Sequence, residues 1–372
     1  MIALSRLLHA PPAWSRSRSR YVRTACLAGA ALWLAGATPA VAQPAPFTVG
    51  PVTAGPGTMV SGTLQVPALG GDQGTTIPIT VAHGARPGPV LALTAGVHGM
   101  EYSPILALQR LRRALDPASL AGTVIMVHVA NTPSFLGRTI YYSPADGQNL
   151  NRVFPGKANG TLSERIADLL TREVIARATH VVDLHCGDGN EDLRPYSYWM
   201  TTGAPEVVEA ARGLALAFGL DHIVVDRGRP TDPSASVYLS NTATTRGKPA
   251  LTIESGGMGR TDEASIARIE RGIAGLLTHL GMRGGGPAPV EHPIWIERSE
   301  VLRAGATGLF YPEAETGQTV AEGTVIGHIT DFHGTTVETI RAPFAGELLY
   351  IIGTPPITKG EPVGFVGRTE RD

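Results

Sequence analysis

The chain has 372 residues, 43% of them hydrophobic and 17% charged, with 31 basic and 32 acidic side chains. That length supports a sizeable core and about two domains. The near-neutral balance excludes the basic footprint of a nucleic-acid binder, and two cysteines exclude a disulfide scaffold.

Residues 1–42 read as a secretory signal peptide. Arg16, Arg18, Arg20 and Arg23 form a basic stretch without an acid, an apolar run covers 25–37, and Ala40-Val41-Ala42 has the small-x-small pattern of a cleavage site. The run is too short for a permanent anchor. Cleavage removes five arginines and no acid, so the net charge moves from −1 to −6. It also removes Cys26 and leaves Cys186, expected to be a small buried hydrophobe. The expected product is periplasmic or secreted, with no nucleic-acid partner and no permanent membrane span.

Residues 47–79 are rich in Gly and Pro and read as an edge hairpin. From there apolar runs predict strands at 77–81, 90–95, 123–129, 181–185, 222–225 and 250–254. Helical periodicity predicts helices at 104–115, 163–178, 205–218 and 262–280. Thr161-Leu162-Ser163-Glu164 is a capping box for the second helix. Such alternation predicts an α/β fold with helices on a mostly parallel or mixed sheet.

Three strand ends carry polar residues. The first runs into Gly96-Val97-His98-Gly99-Met100-Glu101, which delivers an imidazole and a carboxylate to the carboxyl end of a strand, where open α/β sheets build their sites. That donor pair suits Zn²⁺, which takes three protein ligands in catalytic sites. The second, Val181-Val182-Asp183-Leu184-His185, offers His185 as the third ligand and Asp183, on the same strand face, to orient a ligating His. The third, Ala250-Leu251-Thr252-Ile253-Glu254, offers Glu254 as the base that takes a proton from water and returns it to a leaving group. A fourth cluster, Asp146-Gly147-Gln148-Asn149-Leu150-Asn151-Arg152, lies in a long connection. Arg152 there either receives a substrate carboxylate bidentately or ties the loop down.

Composition shifts at Gly281-Met282-Arg283-Gly284-Gly285-Gly286-Pro287-Ala288-Pro289, a linker or domain boundary. Beyond it, short Gly-punctuated segments predict a small all-β domain. Residues 319–327 and 340–346 look like the hammerhead fold of biotinyl and lipoyl carriers. The hairpin at 331–339 holds Asp331, Phe332, His333 and Gly334 but no Lys, so a swinging arm is not expected. The domain is read as a structural appendage or a wall of the site. The expected division is therefore 1–42 signal peptide, 43–285 catalytic domain and 286–372 C-terminal β domain.

As an ordered set, Gly96-Val97-His98-Gly99-Met100-Glu101, Asn149-Leu150-Asn151-Arg152-Val153-Phe154-Pro155-Gly156, Asp183-Leu184-His185 and Thr252-Ile253-Glu254 resemble the succinylglutamate desuccinylase/aspartoacylase family, a branch of the zinc carboxypeptidases. The resemblance covers about residues 75–365. It implies a carboxypeptidase-like α/β/α mixed-sheet domain with a C-terminal β domain, and hydrolysis of an N-acyl amide. By position it makes His98, Glu101 and His185 the ligands of one Zn²⁺, Glu254 the acid/base, and Asn151 with Arg152 the grip on a substrate carboxylate. Relatives place an Arg in a Thr-Arg-Tyr stretch to polarise the scissile carbonyl. Here the stretch reads Thr139-Ile140-Tyr141, and Arg138 is the nearest substitute. Arg194 is placed to meet a second substrate charge, and Tyr311 stands as a guess for a Tyr that some relatives bring from the C-terminal domain.

The expectation is an exported zinc amidohydrolase acting on a small amide that bears a carboxylate. A peptidase acting on short or cell-wall peptides and a non-catalytic binding protein are its rivals. The sequence is compatible with a homo-oligomer.

Overall fold

Along the strand Arg86–Ala95, Leu91, Leu93 and Ala95 alternate with Ala92, and the two sets pack on opposite faces of a sheet. On one face the partners are Ile105 and Leu108 of the helix Tyr102–Ala114, Leu214 of Pro205–Phe218, and Ile266, Ile269 and Ile273 of Glu263–His279. On the other, Leu162, Ile166 and Leu170 of the helix Leu162–Glu173 pack beneath Ile125, Val127 and Val181. A strand buried on both faces is mostly apolar, which is why the central strands read as apolar runs, with Thr94, Asp183 and Thr252 as the polar exceptions. This computed structural model describes residues 44–370, so the signal-peptide reading of 1–42 lies outside the described residues.

Hydrogen bonding orders the large mixed sheet. Its middle is three adjacent parallel strands, Arg86–Ala95, His180–His185 and Ala250–Glu254. Ala95 pairs with Leu184, and His185 pairs with Glu254, so all three strands end at the same edge. Ala121–Val127 continues the sheet on one side, followed by the antiparallel pair Thr75–His83 and Thr58–Val66. On the other side lies Tyr196–Met200, antiparallel to Ala250–Glu254 and parallel to His222–Asp226. Sequence patterning missed this strand because its Tyr-Ser-Tyr-Trp-Met composition is not an apolar run.

Helix ends follow their capping chemistry. Thr161 and Glu164 close the capping box of Leu162–Glu173, and Asp262 caps Glu263–His279 by accepting from the Ser265 amide. The predicted 163–178 helix stops at Glu173 and continues as the 3₁₀ turn Ile175–Arg177. Two further helices, Thr132–Gly137 and Leu239–Thr244, are too short to show a helical period in sequence.

The composition break at 281–289 falls in the loop before the strand Ile294–Arg303. That strand pairs in parallel with His222–Asp226, so the sheet's hydrogen bonds run on into the C-terminal segment through Pro362–Glu370 and Gly346–Ile352. A separate four-stranded antiparallel sheet, Thr336–Arg341, Val325–Thr330, Gly308–Pro312 and Pro356–Ile357, packs against these strands around Phe310, Ile329, Phe344 and Leu348. Tyr196, Val224, Ile296, Tyr350 and Phe365 share a further cluster at the junction. Among the described residues no helix is long and apolar enough to cross a membrane.

Candidate active site

The parallel strand ends create the site. Gly96, at φ +67°, turns the chain out of its strand, and the left-handed region favours glycine there. A Cβ on Gly99 would stand 2.3 Å from the Ser134 carbonyl oxygen, so only glycine lets the His98–Glu101 loop lie this close to its neighbour. Glu101 occupies the N-cap position of the helix Tyr102–Ala114 but makes no capping bond, which leaves its carboxylate to the site. His98, Glu101 and His185 are all buried, and one donor atom from each lies within 4.8 Å of the others.

The surrounding hydrogen bonds dictate which nitrogens face inward. Asn149 Oδ1 accepts from the Asn151 amide at 2.9 Å, which identifies it as the oxygen, and it lies 3.0 Å from His98 Nε2. Asp183 Oδ2 lies 2.9 Å from His185 Nε2. Asn149 Oδ1 and Asp183 Oδ2 are acceptors, which places the proton on each Nε2 and a lone pair on each Nδ1, with Asn151 Nδ2 also 3.2 Å from His185 Nε2. Those Nδ1 atoms lie 2.7 Å (His98) and 3.1 Å (His185) from Glu101 Oε1, and buried Glu101 Oε2 has no hydrogen-bond partner.

Lone pairs and a carboxylate converging in a buried place demand a positive charge between them. Without a metal, protons on the imidazoles supply that charge. Burial opposes charge on all three groups, yet the His185 and His98 imidazoles hold Glu101 down to about 2. Against the same burial, Glu101 holds His98 above its usual range, and Asp183 with Glu101 holds His185 well above it. Two nitrogens and a carboxylate, with oriented imidazoles and an orphaned oxygen, fit a divalent metal such as zinc.

Glu254 ends its strand beside His185 and lines the same cavity, of about 630 Å³. Burial, joined by the Glu101, Glu191 and Asp183 carboxylates and opposed by His185, pushes its carboxyl well above the usual range. Asn151 also reaches the cavity. Its Nδ2 donates to Asp183 Oδ2 at 3.2 Å, and its Oδ1 accepts from the Leu239 amide at 2.9 Å, so it braces the site as much as it faces a ligand. Arg152 lines the cavity with its guanidinium 4.5 Å from the ring centre of Tyr238.

The structure does not bring Arg138, Arg194 or Tyr311 to this cavity. Arg138 is exposed and lines a separate small cavity with Tyr102 and Phe135. Arg194 is engaged with Asp221 at 3.0 Å and Glu347 at 3.1 Å, tying the catalytic segment to the C-terminal strands. Tyr311 stacks on His328 in the small sheet. The cavity's C-terminal wall is instead Val301, Arg303, Tyr350, Glu361 and Pro362.

Along with this machinery, the catalytic-domain model of the succinylglutamate desuccinylase/aspartoacylase family matches residues 87–280, more than half of the chain. The chain belongs to this family. It is 34% identical over 260 residues to the N-alpha-acetyl-L-2,4-diaminobutyric acid deacetylase of Halomonas elongata, covering 68% of this chain and 74% of that protein. Its fold is similar to the succinylglutamate desuccinylase/aspartoacylase from Rhodobacter sphaeroides, with a TM-score of 0.72 and 28% identity over 84% of this chain and 96% of that one. The product-bound ectoine utilization protein EutE (DoeB) from Ruegeria pomeroyi is similar too, with a TM-score of 0.73 and 28% identity over 84% and 95% of the two chains.

Within the family frame, Ile140 occupies the place where an Arg is expected, and the next residue, Tyr141, faces the cavity. Its hydroxyl donates to Glu191 Oε1 at 2.6 Å. Sequence reading also missed Asn149 as the His98 partner, and Arg229, Tyr238, Glu191 and Tyr350 as lining residues. Asn149, Arg229 and Tyr238 come from loops, Glu191 from a three-residue strand and Tyr350 from a C-terminal strand distant in sequence. Only Asn149, two positions before Asn151, belonged to a cluster already singled out.

Proposed function

We propose that this protein is an exported zinc-dependent deacylase that hydrolyses the amide of an N-acyl amino acid. The observation that carries the reading is the convergence of His98, Glu101 and His185, with Glu254 beside them at the end of the neighbouring strand. A zinc ion held by those three side chains supplies Lewis acidity toward an amide carbonyl and makes water acidic enough to ionise near neutral pH.

The chain's own residues divide the remaining work. Asp183 and Asn149 hold the two imidazoles in the tautomer that directs Nδ1 inward. Glu254, whose buried carboxylate holds a proton more tightly than an exposed one, accepts a proton from the attacking water and returns it to the departing amine. Arg152 offers a planar fork that matches a carboxylate. The C-terminal strands contribute one wall of the cavity, including buried Tyr350.

The Halomonas elongata relative is named as a deacetylase of N-alpha-acetyl-L-2,4-diaminobutyric acid, which makes N-acetylated amino acids the first substrate class to assay. Export rests on the composition of residues 1–42. The test is protein purified from an exporting host, with its metal content measured and its activity followed on N-acyl amino acids and dipeptides with and without a chelator. The expected result is zinc in the protein, a new N-terminus after Ala42, and chelator-sensitive release of the free amino acid. Cleavage of dipeptides alone makes it a peptidase, and bound zinc without turnover of either panel makes it a binding protein.

A further inference from the structure

A carboxylate is gripped best by two forks of donors, and the cavity provides two guanidiniums packed against one aromatic ring. Arg152 and Arg229 lie 4.5 Å and 4.0 Å from the ring centre of Tyr238, and all three line the cavity that holds Glu254. Each guanidinium has its own anchor. Arg152 Nη1 donates to the Asn151 carbonyl at 2.8 Å, and Arg229 Nε donates to Asp226 Oδ2 at 2.7 Å. A guanidinium carries five N–H donors, so both keep donors for a ligand.

The amide of Asn151, by contrast, is drawn away by Asp183 and the Leu239 backbone, leaving one N–H at most for a substrate. Asp226 cancels one of the two arginine charges. The Arg152–Arg229 pair therefore presents two forks with one net positive charge, the complement of a single carboxylate. The Tyr238 ring packs against both cations.

Resting on the reading that the substrate carries a carboxylate beside the scissile amide, we propose that Arg229 is the second arm of the receptor for that carboxylate. It works with Arg152 across Tyr238 and sets the preference for acids over their neutral amides.

The test compares N-acetyl-L-alanine, N-acetyl-L-aspartate and N-alpha-acetyl-L-2,4-diaminobutyrate with their α-carboxamides on the exported full-length product, its Arg229→Gln variant and its Arg229→Lys variant. Calorimetry on chelator-treated protein reads affinity, and zinc-loaded protein reads KM and kcat. Wild type is expected to prefer at least one acid over its carboxamide by about 10- to 100-fold, as charge-assisted hydrogen bonds allow. Arg229→Gln should remove about ten-fold of that preference through KM, with kcat within a few-fold. Arg229→Lys, which keeps Asp226 paired, should fall between, and it carries the comparison if thermal melts show the Gln variant unfolded. An undiminished preference in both variants overturns the proposal, as does wild type binding acids and carboxamides alike or binding neither. A binding preference lost in the variants, in a wild type that turns nothing over, keeps the receptor and removes the deacylase reading.

Discussion

Asp183 Oδ2 and His185 Nε2 lie 2.9 Å apart, two positions along one strand and on the same face of it. The carboxylate is fully buried and faces the imidazole's outer N–H as an acceptor, which turns the inner nitrogen toward a cation. Replacing Asp183 with Asn keeps the volume and weakens that hold. The expected outcome for Asp183→Asn is a 10- to 100-fold loss of zinc affinity, in the range for such supporting partners, read by competition with a coloured chelator. Unchanged affinity would mean that strand geometry alone orients His185.

Glu254 lines the cavity without belonging to the three-residue metal group. Glu254→Gln preserves shape and removes the proton acceptor. Zinc content should stay at the wild-type level while kcat falls by about 10²–10⁴-fold, the usual reach of a general base. Elemental analysis and initial rates measure the two arms, and a variant with wild-type kcat removes Glu254 from the mechanism.

Burial raises the Glu191 carboxyl to about 7, with Asp188 and Glu101 adding to the rise and the Tyr141 hydroxyl opposing it. A carboxyl whose native pKa exceeds its unfolded value binds its proton more tightly when folded. Stability therefore falls as pH rises from about 4.5 to about 7 and levels off above that. The contribution is up to about 3 kcal/mol. In metal-free protein, Glu191→Gln should melt with a shallower pH dependence than wild type across that window and gain relative to it above pH 7. Parallel melting profiles from pH 4.5 to 8 would show that Glu191 ionises normally.

Arg194 bridges Asp221 and Glu347, and Glu347 is buried. Removing the guanidinium leaves a buried carboxylate oxygen without its partner, at a cost of about 1–3 kcal/mol. Arg194→Ala should lower the melting temperature by a few degrees and leave KM for N-acyl amino acids unchanged. A rise in KM with an unchanged melt would return Arg194 to the substrate.

The central strands, the helix starts and four residues of the site could be read from the chain alone. The reason is local: strands buried on both faces are mostly apolar, so a His or Glu at the end of such a run stands out, as His98, Glu101, His185 and Glu254 do. Which residues join them across space was decided by folding. Arg138 and Arg194 are close in sequence to site residues, yet a left-handed turn at Arg138 and ion pairs at Arg194 lead them elsewhere. Arg229 and Tyr238 arrive from one loop, Glu191 from a short strand and Tyr350 from a C-terminal strand paired on both sides. Their meeting depends on sheet order and on the C-terminal strands joining the main sheet, long-range pairings that leave no periodic trace in the residues themselves.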